Sequence, residues 1–244
     1  MNRRISIRAE TSGFMFHSHE FNNMKIDRVK TGIDGLDSLM EGGIPKGSCV
    51  MLAGGPGVGK TTICSQYIWQ GMTEDEKCLI VSTEEPVREL QIEAERFGWD
   101  FDTSKDTLDI KYIDHTENVL SKIENINARE YDRIAFDSIS TVGMSLDDEK
   151  KFRLRVNQVI EELRGVDATI LMTAEMAEES SGKISRRGIA EFVAQGVIKL
   201  DMTILGDEVE RTASVRKMRA TDLDVGEYSF VFTESGIKLN RGNN

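Results

Sequence analysis

Read for the alternation of apolar and polar positions, the chain shows no pattern in its first 24 residues and then settles into a strand–helix rhythm. Val50 to Ala53 is a short apolar run with the length of a buried strand. Glycines from Gly54 to Gly59 break it, and Ile63, Tyr67 and Ile68 then recur at helical spacing. The rhythm repeats downstream. Cys78–Val81 predicts a strand, and Pro86 opens a helix with Val87, Leu90, Ala94 and Phe97 on one face. Leu108–Tyr112 is the next predicted strand, Val119–Ile126 a weaker helix, and Arg133–Asp137 a short apolar strand that finishes in a carboxylate. A clear stripe follows at Phe152, Val156, Val159, Ile160 and Leu163, and then a strand at Ala168–Thr173. Alternating strands and helices of this kind predict an α/β fold, a mostly parallel sheet with helices on both faces.

Two regions depart from the rhythm. Residues 31–48 predict a short helix carrying Leu36, Leu39 and Met40, a Gly42-Gly43 break, and a turn at Pro45-Lys46-Gly47. After a polar loop from Glu175 to Arg187, Val197–Ile204, Arg211–Met218 and Tyr228–Phe232 read as strands joined by Gly206-Asp207 and Asp224-Val225-Gly226. That spacing predicts an antiparallel C-terminal extension at the sheet edge. There is no internal repeat and no linker-like stretch. At 244 residues the reading is a polar tail over 1–24, which lacks fixed structure or simply precedes the fold, and one domain over 25–244.

Composition narrows the function classes. The net charge of −11 disfavours a broad electrostatic grip on nucleic acid or anionic lipid. No apolar run approaches the roughly 20 residues of a membrane span, and the tail has no apolar core of a signal peptide. Cys49, Cys64 and Cys78 are odd in number, scattered and without zinc spacing, so they read as buried reduced thiols. A cytoplasmic, reducing setting is the expectation.

The glycine break carries the chemistry. Gly54-Gly55-Pro56-Gly57-Val58-Gly59-Lys60-Thr61, with Thr62 next, fills G-x-x-x-x-G-K-[ST] between a predicted strand and a predicted helix, the context that the phosphate-binding loop requires. Glycines let consecutive backbone N–H groups approach an anion where side chains would collide. The helix behind aims its unsatisfied N–H groups and positive end at the same anion. Lys60 is expected to bridge the β- and γ-phosphates, and the Thr61 hydroxyl to ligate Mg²⁺.

Three further features are expected to serve such a site. Asp137 ends an apolar strand, where α/β sheets bind their ligands, and would help to hold the metal. Asp137 is followed by Ser138-Ile139-Ser140, so the carboxylate that activates water must come from elsewhere, and Glu84-Glu85 at a neighbouring strand end fits. Lys217 and Arg219 are two apart on a predicted strand and would share a face, as a cationic finger needs.

Taken together these segments resemble the RecA-superfamily ATPases, and among them the KaiC-type proteins with a single ATPase domain. TGIDGLDSLMEGGIPKG resembles the lead into the KaiC phosphate loop, STEEP its Glu-Glu pair, and FDSIS its strand-end Asp-Ser. RRGIAEFVAQGVIKL and VRKMRATD followed by YSFVFTESGIKL resemble the KaiC ending, so the likeness runs from about Val29 to Leu239. It implies a RecA-like three-layer fold, ATP and Mg²⁺ as ligands, and ATP hydrolysis. It further implies Glu84 as the water-activating base with Glu85 as its partner, and Thr61 and Asp137 serving the metal. ATP would lie between subunits of a homo-oligomeric ring, commonly a hexamer, with Lys217 and Arg219 reaching into the neighbour's site. A nucleotide switch acting on an unidentified protein client is the function this implies.

The resemblance is incomplete. Leu223 stands where the family often has His, so the nucleoside contact of that His is not carried over, and the sequence is expected to hold one ATPase domain where KaiC fuses two. Alternative functions are a RecA-like DNA-binding protein, through loops near Ser140–Lys150 and Glu175–Arg187, or an autokinase or scaffold with Ser180 or Ser181 as phosphoacceptor. Both loops lack aromatic residues for base stacking and mix acids with bases, which disfavours nucleic acid.

Overall fold

β3 (Cys49–Gly54) is the strand around which the others assemble, and all six of its residues are buried. The computed structural model describes residues 26–114, 118–143, 148–164, 167–176 and 193–240. In chain order, β1 (Arg28–Val29) and β2 (Ile44–Pro45) form a small antiparallel ribbon ahead of β3. α1 (Lys60–Thr73), β4 (Cys78–Ser82), α2 (Val87–Glu95), β5 (Leu108–Tyr112), α3 (Val119–Ile123) and β6 (Arg133–Asp137) follow. After them come α4 (Glu149–Leu163), β7 (Thr169–Glu175), β8 (Gly196–Leu205), β9 (Glu208–Met218), β10 (Tyr228–Thr233) and β11 (Gly236–Leu239).

Nine strands make one sheet in the order β11-β10-β9-β8-β3-β7-β6-β4-β5. From β8 to β5 every pairing is parallel, and from β8 to β11 every pairing is antiparallel. This is the α/β layering with an antiparallel extension that the sequence predicts. Alternation along β3 sends Val50 and Leu52 toward α1 and α2, and Cys49 and Met51 toward α3 and α4. The apolar stripe of α4 is wholly buried on the second face, at about 1.5–3 kcal/mol for each large side chain. The three cysteines are free and buried. Among the described residues no helix is long and apolar enough to cross a membrane.

The structure differs from the sequence reading in three places, and one stretch of that reading is not described. The helix expected within 31–48 is one 3₁₀ turn, Asp37–Met40. Gly35 at φ 90° precedes it and Glu41 at φ 51° follows it, so a right-handed run has no room to extend. The predicted helix over 119–126 stops at Ile123. β11 was not expected, because four residues are too short to show alternation. The polar loop and most of RRGIAEFVAQ fall in 177–192, which with residues 1–25 lie outside the described residues.

One charged side chain organises the lower edge of the sheet. Arg133 is wholly buried, pairs with Glu76 and with Glu74 at 2.8 Å, donates to Lys30 O at 2.6 Å and Tyr67 O at 3.2 Å, and lies 5.0 Å from the Tyr67 ring centre. Each of its three nitrogens donates a hydrogen bond and two carboxylates face it, which is what allows a buried guanidinium.

Candidate functional site

Strand register gathers the predicted residues on the carboxyl edge of the sheet. Gly54 at the end of β3 lies opposite Glu175 of β7, and Asp137 at the end of β6 lies opposite Ser82 of β4. The loops leaving β3, β4 and β6 are therefore neighbours, although the segments are far apart in sequence.

The phosphate loop is shaped but open. A Cβ on Gly55 or Gly57 would meet nothing within 4 Å, whereas one on Gly54 would meet Val58 Cγ1 at 2.8 Å and the Leu200 carbonyl at 3.0 Å. The loop thus packs underneath and faces solvent above, with Pro56 exposed and the Val58 side chain buried. Val58 can offer a ligand only its backbone. Gly59 holds φ 112° as the residue before α1, a conformation that admits glycine alone without strain. The first intrahelical bond is Ile63 N to Gly59 O, so the N–H groups of Lys60, Thr61 and Thr62 remain for an anion. The Lys60 ammonium folds back over the loop, donating to Gly54 O at 3.1 Å and Gly55 O at 3.0 Å.

Asp137 is 2% exposed. Thr61 Oγ1 donates to its Oδ2 at 2.6 Å, and Thr173 Oγ1 donates to its other oxygen. Burial pushes its carboxyl above the usual range, and those two hydroxyls pull it partly back. Thr173 was not singled out by sequence. It sits near the end of β7, the strand between β3 and β6, and only the strand order shows that it faces Asp137.

β4 ends in a turn made by one hydroxyl. Ser82 Oγ accepts from Glu85 N at 2.9 Å and Glu84 N at 3.3 Å, which presents both carboxylates at the sheet edge. Thr83 then ties β4 to β6: its N–H donates to Asp137 O at 2.6 Å, and its hydroxyl accepts from Ser138 N at 3.0 Å. Glu84 is exposed and Glu85 half-buried. Burial first, then the charges of Glu93, Asp137, Glu89 and Glu84, push Glu85 up to about 7. Among the described residues, its Oε2 and the Ser138 hydroxyl are buried without a hydrogen-bond partner. A half-buried carboxyl whose proton affinity is raised in this way, at a strand end beside other carboxylates, is a candidate for acid–base work.

The chemistry of these groups fits Mg²⁺ with a polyphosphate. No three His, Cys, Asp or Glu side chains converge into a cation cage among the described residues. Mg²⁺ binds through one or two protein oxygens and completes its shell with phosphate and water; Thr61 and Asp137 are the residues that would supply those oxygens.

Lys217 and Arg219 do not join this group. β9 runs antiparallel to β8, so Met218 lies opposite Gly196 while Leu200 lies opposite Gly54. Four residues of strand, about 13 Å, separate the two levels. Lys217 is half-buried and donates to Ala194 O at 2.7 Å, and its ammonium is pushed below the usual range by burial and then by Arg219. Arg219 is exposed and lies just past the end of β9. The register shift between Val197 and Ile198 leaves Arg216 as an extra residue on β9.

The structure adds two residues beside the loop. A Cβ on Gly59 would approach Phe232 Cζ to 2.9 Å, and Arg211 lies 5.2 Å from the Phe232 ring centre. Arg211 Nε is buried without a partner. Ile198 and Leu200 face α1, and the same stripe continues through Met202 to Ile204, 66% exposed, beyond the start of the helix. Sequence showed Phe232 only as a strand residue.

The family model described as ATPase: KaiC matches residues 29–243. The circadian clock protein KaiC3 of Synechocystis sp. is 31% identical over 232 residues, 88% of this chain and 46% of that protein. The circadian clock oscillator protein KaiC of Synechococcus elongatus is 30% identical over 230 residues, 88% of this chain and 44% of that protein. The chain thus spans about half the length of the curated relatives it matches. Among solved structures, a KaiC-like protein from the hyperthermophilic archaeon Pyrococcus horikoshii superposes with a TM-score of 0.75 at 38% identity, covering 88% of this chain and all of that one.

Proposed function

The chain belongs to the KaiC ATPase family and has its RecA-like fold, and from that premise we propose that it binds ATP with Mg²⁺, hydrolyses it, and works as a nucleotide switch in a homo-oligomeric ring. The observation that carries this is the 2.6 Å hydrogen bond from Thr61 to Asp137, which joins the loop's hydroxyl to the strand-end carboxylate at the lip of an open phosphate cradle.

In this reading the backbone from Gly54 to Thr62 wraps the phosphates. Lys60 leaves the carbonyls of Gly54 and Gly55 for the β- and γ-phosphate oxygens. Thr61 and Asp137 would hold Mg²⁺, which when bound would supply positive charge against the negative charge of the phosphates. Thr173 keeps Asp137 oriented. Glu84 aligns and deprotonates the attacking water, and Glu85 holds or releases a proton beside it. Lys217 and Arg219, on the far edge of the sheet, act on the nucleotide of the next copy in a ring, and the family resemblance supports six copies as its size. The client of the switch is a protein; the net charge of −11 argues against nucleic acid.

Lys60→Ala tests the reading. Hydrolysis by the purified protein is expected to fall at least about 10²–10³-fold, the usual loss when one preorganised phosphate or oxyanion donor is removed. Equal rates in variant and wild type would sink the proposal.

The base lies against Phe232 and Arg211. Phe232→Ala is then expected to weaken ATP binding about 5- to 150-fold, the value of one base–aromatic stack. Binding of inorganic tripolyphosphate, which has no base, should be unchanged. Titration calorimetry with both ligands reads the difference.

A further inference from the structure

A single side chain fastens the segment behind β9 to the front of the fold. Arg28, in β1, is 12% exposed. Its Nη1 donates to Gly43 O at 3.2 Å and Thr221 Oγ1 at 3.0 Å. Its Nη2 donates to Ala220 O at 3.2 Å and pairs with Glu41 at 2.5 Å. Four acceptors from two separate segments, 41–43 and 220–221, converge on one planar fork, a task for which an arginine is suited and a lysine is not.

What the fork holds is the stretch immediately after Arg219. The last ladder-like bond of β9 is Arg219 N to Gln195 O at 3.0 Å, and the next strand, β10, begins only at Tyr228. Ala220 sits at φ 55°, in the left-handed region that an alanine occupies only when its surroundings hold it there. Arg28 supplies that hold at Ala220 and Thr221. The next attachment comes at Asp224, whose N–H donates to Leu39 O at 3.2 Å. The direction in which the chain leaves Arg219 is thus set from β1.

We infer that Arg28 is a positioning residue for hydrolysis in the neighbouring copy: by clamping Ala220 and Thr221 it fixes the geometry with which Arg219 is presented to that copy's nucleotide. This rests on the reading that Arg219 acts between copies. Arg28 touches no reacting atom. Its loss frees a loop, so it costs orientation and leaves affinity nearly intact. Misplacement of a catalytic group by about 1 Å can cost about 10²-fold in rate.

Arg28→Ala is expected to lower kcat about 10- to 100-fold with less than about a threefold change in ATP affinity. Arg28→Lys should stay impaired, because one ammonium cannot span the four acceptors. Thr221→Val removes one acceptor of Arg28 and the bond from the Thr221 hydroxyl to Arg219 O at 3.2 Å, and leaves the β1–β2 ribbon intact, so it should lower kcat in the same direction by less.

Mixing separates positioning from a merely structural role. An Arg28→Ala copy keeps a sound phosphate loop and lacks only a well-aimed neighbour. A Lys60→Ala copy has a dead loop and a sound Arg219. Each is slow alone, and an equal mixture should recover toward about half of the wild-type rate per Arg28→Ala site, since about half of those sites gain an intact neighbour. Thr221→Val takes its place in the mixture if Arg28→Ala does not fold. A wild-type kcat in Arg28→Ala overturns the inference. So does a mixture no faster than the sum of its parts, provided that Arg219→Ala mixed with Lys60→Ala does recover; the action of Arg219 between copies would then stand without Arg28. If that control mixture also fails to recover, the reading of Arg219 fails, and the inference with it.

Discussion

Arg219→Ala is expected to slow ATP hydrolysis by about 10³–10⁵-fold at concentrations where the wild type is assembled, the range for removing an arginine finger. The residue lies about 16 Å along the strands from the level of its own phosphate loop, at the end of β9 that faces away from that loop. No small movement of its own chain brings it there. ATP binding at the intact loop should survive, so the loss appears in kcat. Wild-type activity should also rise more steeply than linearly with protein concentration through the assembly range, and the variant's should not. Steady-state rates taken beside light scattering read both effects. A variant that hydrolyses ATP at the wild-type rate while assembled would remove Arg219 from the mechanism. Lys217→Ala should cost less, because that ammonium is already engaged by Ala194 O in its own chain.

The second large effect belongs to the Glu84-Glu85 pair. Glu84→Gln is expected to reduce hydrolysis about 10²–10⁴-fold, the contribution of one general base, and to leave a bound, uncut ATP that can be recovered from the protein. Glu85→Gln should cost less and change the pH profile instead. Its carboxyl is pushed from 4.5 up to about 7, chiefly by burial. The folded chain therefore holds this proton more tightly than the unfolded chain does. Stability from this group is complete below about 4.5 and is lost as pH rises through about 7. Glu85→Gln should flatten that loss and raise the melting temperature at pH 8, and the inflection near 7 in the wild-type rate profile should vanish. If the inflection persists in Glu85→Gln, another group titrates there.

The sequence made the central strands and the cradle legible for a physical reason. Buried parallel strands are nearly continuous apolar runs, and a phosphate loop needs glycines, a lysine and a hydroxyl at fixed spacing, so both leave a local signature. Asp137 was legible as a carboxylate ending an apolar run. Thr173 and Phe232 were not, because their roles depend on which strands lie side by side, and pairing between β7 and β6 or between β10 and β9 has no local mark. Arg28 was hidden for the same reason, since its acceptors Ala220 and Thr221 are more than 190 positions away. The helix expected within 31–48 failed because two left-handed residues outweigh a favourable apolar spacing. β11 failed on length.

If Arg219 acts on the nucleotide of a neighbouring copy, the nine-stranded sheet that carries the cradle at one edge and Arg219 at the other would make contact between copies directional. Two chains related by a simple two-fold would press like edges together and could not complete both nucleotide sites in one contact. Donor edge must meet acceptor edge, head to tail, each chain giving in one direction and receiving from the other. Such an arrangement closes on itself or grows without end, and a change at either edge alone would leave a chain that ends the series instead of extending it.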